Sequence, residues 1–91
     1  MKKRVIFKVH GDVQGINFRY YAMEEAQKLD IAGWVRNDSQ GTVSILAEGE
    51  EENLKKLIDW AYKGPTLARV DKVDVSWKNY KGEFDRFEVR Y

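Results

Sequence analysis

Two hydrophobic periods take turns along this chain, and their order restricts it to few folds. Val5, Phe7 and Val9 alternate with Lys8 and His10, the period-two signature of a strand with one buried face. From Phe18 the spacing changes to that of a helix. Phe18, Ala22, Ala26 and Leu29 share one stripe, while Glu24, Glu25 and Lys28 lie elsewhere. Asn17 stands at the N-cap position, where a short amide side chain can accept a free first-turn N–H. After Gly33, period two returns in Trp34 to Asn37. It resumes in Thr42 to Glu48, which turns Val43, Ile45 and Ala47 inward across an Asp38-Ser39-Gln40-Gly41 turn.

A second helix is expected from the acidic start Glu50-Glu51-Glu52, which complements the positive end of a helix dipole. Its buried stripe is Leu54, Leu57, Ile58 and Ala61, and Gly64-Pro65 stops it. Val73, Val75 and Trp77 form a further strand, a turn follows over Asn79 to Gly82, and Phe87, Val89 and Tyr91 alternate once more. The sum is an α+β chain in the order βαββαβ with an extra C-terminal strand. Two helices on one face of a mostly antiparallel sheet are the ferredoxin-like sandwich. This fold class alone implies no activity.

Composition narrows the chemistry. The 91 residues correspond to one domain, because independently folding units average about 100–150 residues. Lys and Arg number 16 against 15 Asp and Glu, a net charge of +1, without the basic excess of a dedicated nucleic-acid binder. There are no cysteines, so disulfides, thiolate metal sites and cysteine nucleophiles are all excluded. The basic start Met1 to Arg4 precedes only a short apolar stretch, with no hydrophobic region of signal-peptide or membrane-spanning length. A cytoplasmic protein without membrane contact is expected. High charge without cysteine leans toward heat stability.

The chemistry-bearing stretch runs from Gly11 to Arg19, GDVQGINFR. A strand, a loop with two glycines and the first turn of a helix can present backbone N–H groups to an anion, with the helix dipole adding in the same sense. Arg19 adds a planar fork able to hold two phosphate oxygens, which lysine cannot do. The same pattern suits an ordinary connecting loop carrying a solvated arginine. Asn37 ends the second strand, as a turn former or as an amide that positions water or a substrate oxygen. Spacing does not place it beside Arg19. His10, the only histidine, is assigned no role, and neither a Walker loop nor a dinucleotide fingerprint is present.

These residues resemble the acylphosphatase family over Val5 to Tyr91. GDVQGINFR is similar to the family's phosphate loop, G-x-V-Q-G-V-x-F-R, with Ile16 for the usual valine. GWVRN at Gly33 to Asn37, Gly41-Thr42-Val43, Glu48-Gly49, Gly64-Pro65, Ala68-Arg69-Val70 and FEVRY at Phe87 to Tyr91 match in order. Asp30 replaces a common glycine, and Ser39-Gln40 replaces the commoner hairpin residues. The resemblance implies one acylphosphatase-like domain over residues 1–91 that hydrolyses the carboxyl–phosphate bond of acylphosphates. It assigns phosphoryl binding to Arg19 and to loop amides at Asp12, Val13, Gln14, Gly15 and Ile16, and orientation of the attacking water to Asn37. It implies no metal or cofactor, a small-molecule acylphosphate substrate, and no obligate protein partner. The alternative of another class is a single-stranded RNA-binding module of the same fold. Such modules stack bases on aromatic residues of the central strands, and Thr42 to Glu48 contains none.

Overall fold

The computed structural model describes residues 1–91 and contains five strands and two helices. In chain order they are β1 (Lys2–Asp12), α1 (Phe18–Lys28), β2 (Ala32–Asn37), β3 (Val43–Glu50), α2 (Glu51–Lys63), β4 (Arg69–Lys78) and β5 (Phe87–Arg90). One sheet runs in the order β4-β1-β3-β2-β5, antiparallel except where β5 lies parallel to β2. Both helices pack on the same face, α2 over β1, β3 and β4, and α1 over β2 and β5. This is the ferredoxin-like arrangement that the hydrophobic periods predict.

Val5, Phe7, Val9, Val35, Val43, Ile45, Ala47 and Phe87 form the floor of the core. Phe18, Ala22 and Ala26 from α1, and Leu54, Leu57, Ile58 and Ala61 from α2, close it. At about 1.5–3 kcal/mol for each large buried apolar side chain, this single layer is the main source of stability.

The structure departs from the periodic reading in three places. Asn17 occupies the N-cap of α1, but its side chain caps nothing: its backbone is left-handed, φ 63° and ψ 25°. Its carbonyl accepts the Tyr21 N–H at 3.1 Å. Asparagine tolerates this conformation better than most residues, so it serves here as a turn and not as a side-chain cap. Val75 and Trp77, in period-two step with the buried Val73, are 38% and 42% exposed because β4 is an edge strand that α2 only partly covers. On β3, Ser44, Leu46 and Glu48 are buried as well as their inward neighbours. The segment after β4 lies over that part of the open face, with backbone N–H groups of Lys81, Gly82 and Glu83 bonded to the Glu48 carboxylate.

Candidate active site

β1 is drawn out of its ladder just before the glycine-containing loop. Its register against β4 shifts between His10 and Gly11, a bulge that bends the strand. At Gly11 (φ 134°) a β-carbon would collide with the Arg69 carbonyl oxygen, so only glycine allows β4 this close. The chain then crosses Val13–Asn17 to reach α1, passing through left-handed Gly15 (φ 79°) and Asn17.

The N–H groups of Val13, Gln14, Gly15, Ile16 and Asn17 donate to no backbone carbonyl. The only backbone N–H groups bonded to side chains are those of Lys81, Gly82 and Glu83. Five consecutive donors at a helix N-terminus are therefore uncommitted within the protein. Left-handed residues alternating with others are the backbone geometry of an anion nest, and the α1 dipole reinforces it.

Arg19 stands in the first turn of α1, where β5 braces it. Its Nη1 donates to the Arg90 carbonyl at 3.3 Å, and its guanidinium lies 4.7 Å from the centre of the Tyr91 ring. Asn37, the last residue of β2, is half-buried and shares the helix-covered side of the strand with Val35. Arg19 and Asn37 line one cleft of about 200 Å³ together with Val13, Gly15, Asn17 and Val89. The fold thus brings together the arginine and the asparagine that spacing left apart.

The remaining loop residues serve its shape. The Gln14 side-chain amide donates to the carbonyls of Asp38 (2.8 Å) and Thr42 (2.9 Å), which straps the loop to the β2–β3 hairpin beside Asn37. Ile16 packs against the core, and Asp12 lies within β1 opposite Arg69. His10 is on the other side of the sheet, its Nε2 2.9 Å from Asp74 Oδ2. Nothing in the spacing announces the Gln14 strap or the bracing of Arg19 by β5, because both depend on segments distant in sequence.

Asp38 anchors the hairpin that carries Asn37. Its Oδ2 accepts from Thr42 Oγ1 at 2.7 Å and from Ser44 Oγ at 2.6 Å, and its Oδ1 from Arg36 Nε at 3.4 Å. Burial alone would raise its pKa. The hydrogen bonds from Ser44, Thr42 and Arg36, with the Lys8 charge, outweigh burial and hold it below the usual carboxylate value. A carboxylate depressed in the folded state contributes stability above its unfolded pKa of about 3.9, and that contribution is lost as pH falls through the lower folded value. Wild type is therefore expected to exceed Asp38→Asn in urea stability at neutral pH, with the gap closing below about pH 4. A gap independent of pH would assign the role of Asp38 to shape and not to charge.

On the side of the sheet away from the helices, β1 presents Arg4, Ile6, Lys8 and His10, and β3 presents Ser44, Leu46 and Glu48. Neither central strand carries an aromatic residue there, so the stacking platform of an RNA-binding module is missing from its usual place. No helix is long and apolar enough to cross a membrane.

Comparison with known proteins agrees with the geometry. The acylphosphatase family model matches residues 5–89. Acylphosphatase from Geobacter sulfurreducens is 46% identical over 91 residues, covering the whole of both chains. Its counterpart from Geobacter metallireducens is 44% identical over all of this chain and 98% of the relative. The crystal structure of acylphosphatase from Bacillus subtilis superposes with a TM-score of 0.94 at 35% identity, covering both chains completely. With the family model spanning nearly the whole chain, and full-length relatives agreeing in sequence and in overall fold, the chain belongs to the acylphosphatase family of enzymes.

Proposed function

We propose that residues 1–91 act as one acylphosphatase-like domain that hydrolyses the carboxyl–phosphate bond of acylphosphates by attack of water on phosphorus. The carrying observation is the single cleft in which Arg19, Asn37 and the loop of uncommitted N–H donors meet. Arg19 and the uncommitted amides of Val13, Gln14, Gly15, Ile16 and Asn17 hold the non-bridging phosphoryl oxygens. Asn37 orients the water. The water oxygen forms a bond to phosphorus as the bond to the carboxyl oxygen breaks, and the electron pair leaves with the carboxylate. The water's protons pass to the phosphate product and solvent.

A carboxylate is a good leaving group at neutral pH, so the reaction needs neither a general acid nor a Lewis acid to expel it. What it needs is position and stabilisation of charge on the equatorial oxygens. A metal-independent reaction in the cytoplasm is part of the same reading.

Hydrolysis of benzoyl phosphate is expected to proceed undiminished in excess EDTA. Asn37→Ala is expected to lower kcat by about 10²–10³, the usual effect of removing one preorganised polar group, while the Ki of inorganic phosphate changes less than twofold. Loss of activity with the chelator would overturn the metal-free reading. A large rise in Ki for Asn37→Ala would make Asn37 a phosphate ligand instead.

A further inference from the structure

The phosphate cleft is not the largest concavity on the molecule. A groove of about 630 Å³ runs between α1 and the Pro65–Leu67 turn that follows α2. Gly15 and Asn17 line both the groove and the cleft, so the two meet across the rim of the phosphate loop. The groove has an apolar wall of Ile16, Trp60 and Leu67. Trp60 is fixed in place by its ring contact with Phe18, 5.3 Å between centroids. Leu67 is 78% exposed, a large apolar side chain on the wall of this groove with nothing of the protein covering it. Glu24, Glu25 and Lys28 line the opposite side, two acidic groups against one basic, so that side is net acidic.

We infer that this groove is the acyl-group subsite, and that it selects acylphosphates whose acyl portion is uncharged, apolar and at least the size of a phenyl ring. This rests on the proposed function and extends it from the reacting bond to the rest of the substrate. The phosphoryl group in the Val13–Asn17 loop fixes one end of the substrate, and the carboxyl end then crosses the Gly15–Asn17 rim. A two-carbon acyl group fills little of a groove three times the volume of the cleft, whereas a ring lies against Trp60 and Leu67. The acidic excess disfavours an anionic acyl portion and leaves apolar contact with Trp60 and Leu67 as the attraction, and contact of that kind discriminates by roughly one to two powers of ten for each group added or removed.

Leu67 belongs neither to the phosphate loop nor to the core, so Leu67→Asp tests the subsite without disturbing either. The expected result is a rise of about tenfold in the KM of benzoyl phosphate, with the KM of acetyl phosphate and the Ki of inorganic phosphate within twofold of wild type. Binding of benzylphosphonate, a non-hydrolysable phosphonate with an aromatic tail, is measured alongside by calorimetry. Leu67→Asp is expected to weaken it by a similar factor. Equal effects on benzoyl and acetyl phosphate, or no effect on either, would overturn the subsite. If wild type bound phosphate and benzylphosphonate but hydrolysed neither acylphosphate, the proposed reaction would fail. The calorimetric comparison would still decide whether the groove holds the aromatic tail.

Discussion

Replacing Arg19 with alanine is expected to lower kcat/KM for benzoyl phosphate by at least about 10³ and to raise the Ki of inorganic phosphate at the same time. Removing one preorganised donor from a site of developing charge costs about 2.7–4 kcal/mol. Arg19 supplies more than one donor, because its fork can engage two phosphoryl oxygens together. Its geometry is set before substrate arrives, by the Arg90 carbonyl at 3.3 Å and the Tyr91 ring at 4.7 Å. Lysine keeps the charge and loses the rest. An ammonium is a point charge without the rigid fork that meets two oxygens side by side, and it lacks the planar group that lies over Tyr91. Arg19→Lys is therefore expected to regain only about a tenth of the lost rate, and steady-state kinetics with phosphate as competitive inhibitor measures both effects. Activity of Arg19→Lys within threefold of wild type would show that charge alone suffices and that the braced fork does not matter.

The same residues show where reading a chain by its periods stops. The alternation of Val5, Phe7 and Val9, and of Val43, Ile45 and Ala47, predicts faces that the structure keeps, because burial of one face is a local property of a strand. Arg19 and Asn37 were identifiable as types of residue within a motif. Their meeting depends on β2 lying beside β3 and β5, and on α1 crossing over β2, which is a property of the whole sheet. The bracing of Arg19 by Arg90 and Tyr91 depends further on the parallel pairing of β5 with β2, where Arg90 stands opposite Arg36. No local pattern encodes that register. Asn17 illustrates the opposite error: the residue type fits a cap, but the loop needs a left-handed backbone there, and the conformation takes precedence over the side-chain bond. The burial of Glu48 was hidden for a related reason, since its partners lie more than thirty residues further along the chain.

The largest loss of stability from a single polar substitution is expected at Glu48. Its side chain is 2% exposed, and its two oxygens accept N–H groups from Lys81 (2.8 Å), Gly82 (3.2 Å) and Glu83 (3.0 Å). Arg4 Nη1 lies 3.5 Å away and also pairs with Glu83, so one carboxylate closes a network joining β1, β3 and the segment that leads into β5. Deleting one partner of a buried, hydrogen-bonded charge pair typically costs about 3–5 kcal/mol. The segment beyond Lys78 can move outward and let water reach its freed N–H groups, which places Glu48→Ala near the lower figure, at about 3 kcal/mol. For a domain of this size that corresponds to on the order of 15 °C in Tm, at about 4–8 °C per kcal/mol. Glu48→Gln keeps one carbonyl acceptor and loses the charge, so roughly half the penalty is expected. Amide exchange at Lys81, Gly82 and Glu83 should quicken in both variants. The cleft with Arg19 and Asn37 lies on the helix-covered side of the sheet, so kcat/KM of the folded Glu48→Gln enzyme is expected to stay within twofold of wild type. A loss below about 0.5 kcal/mol for Glu48→Ala in urea denaturation would mean that solvent replaces these bonds without penalty. The carboxylate would then merely occupy the face of β3 and not hold it closed.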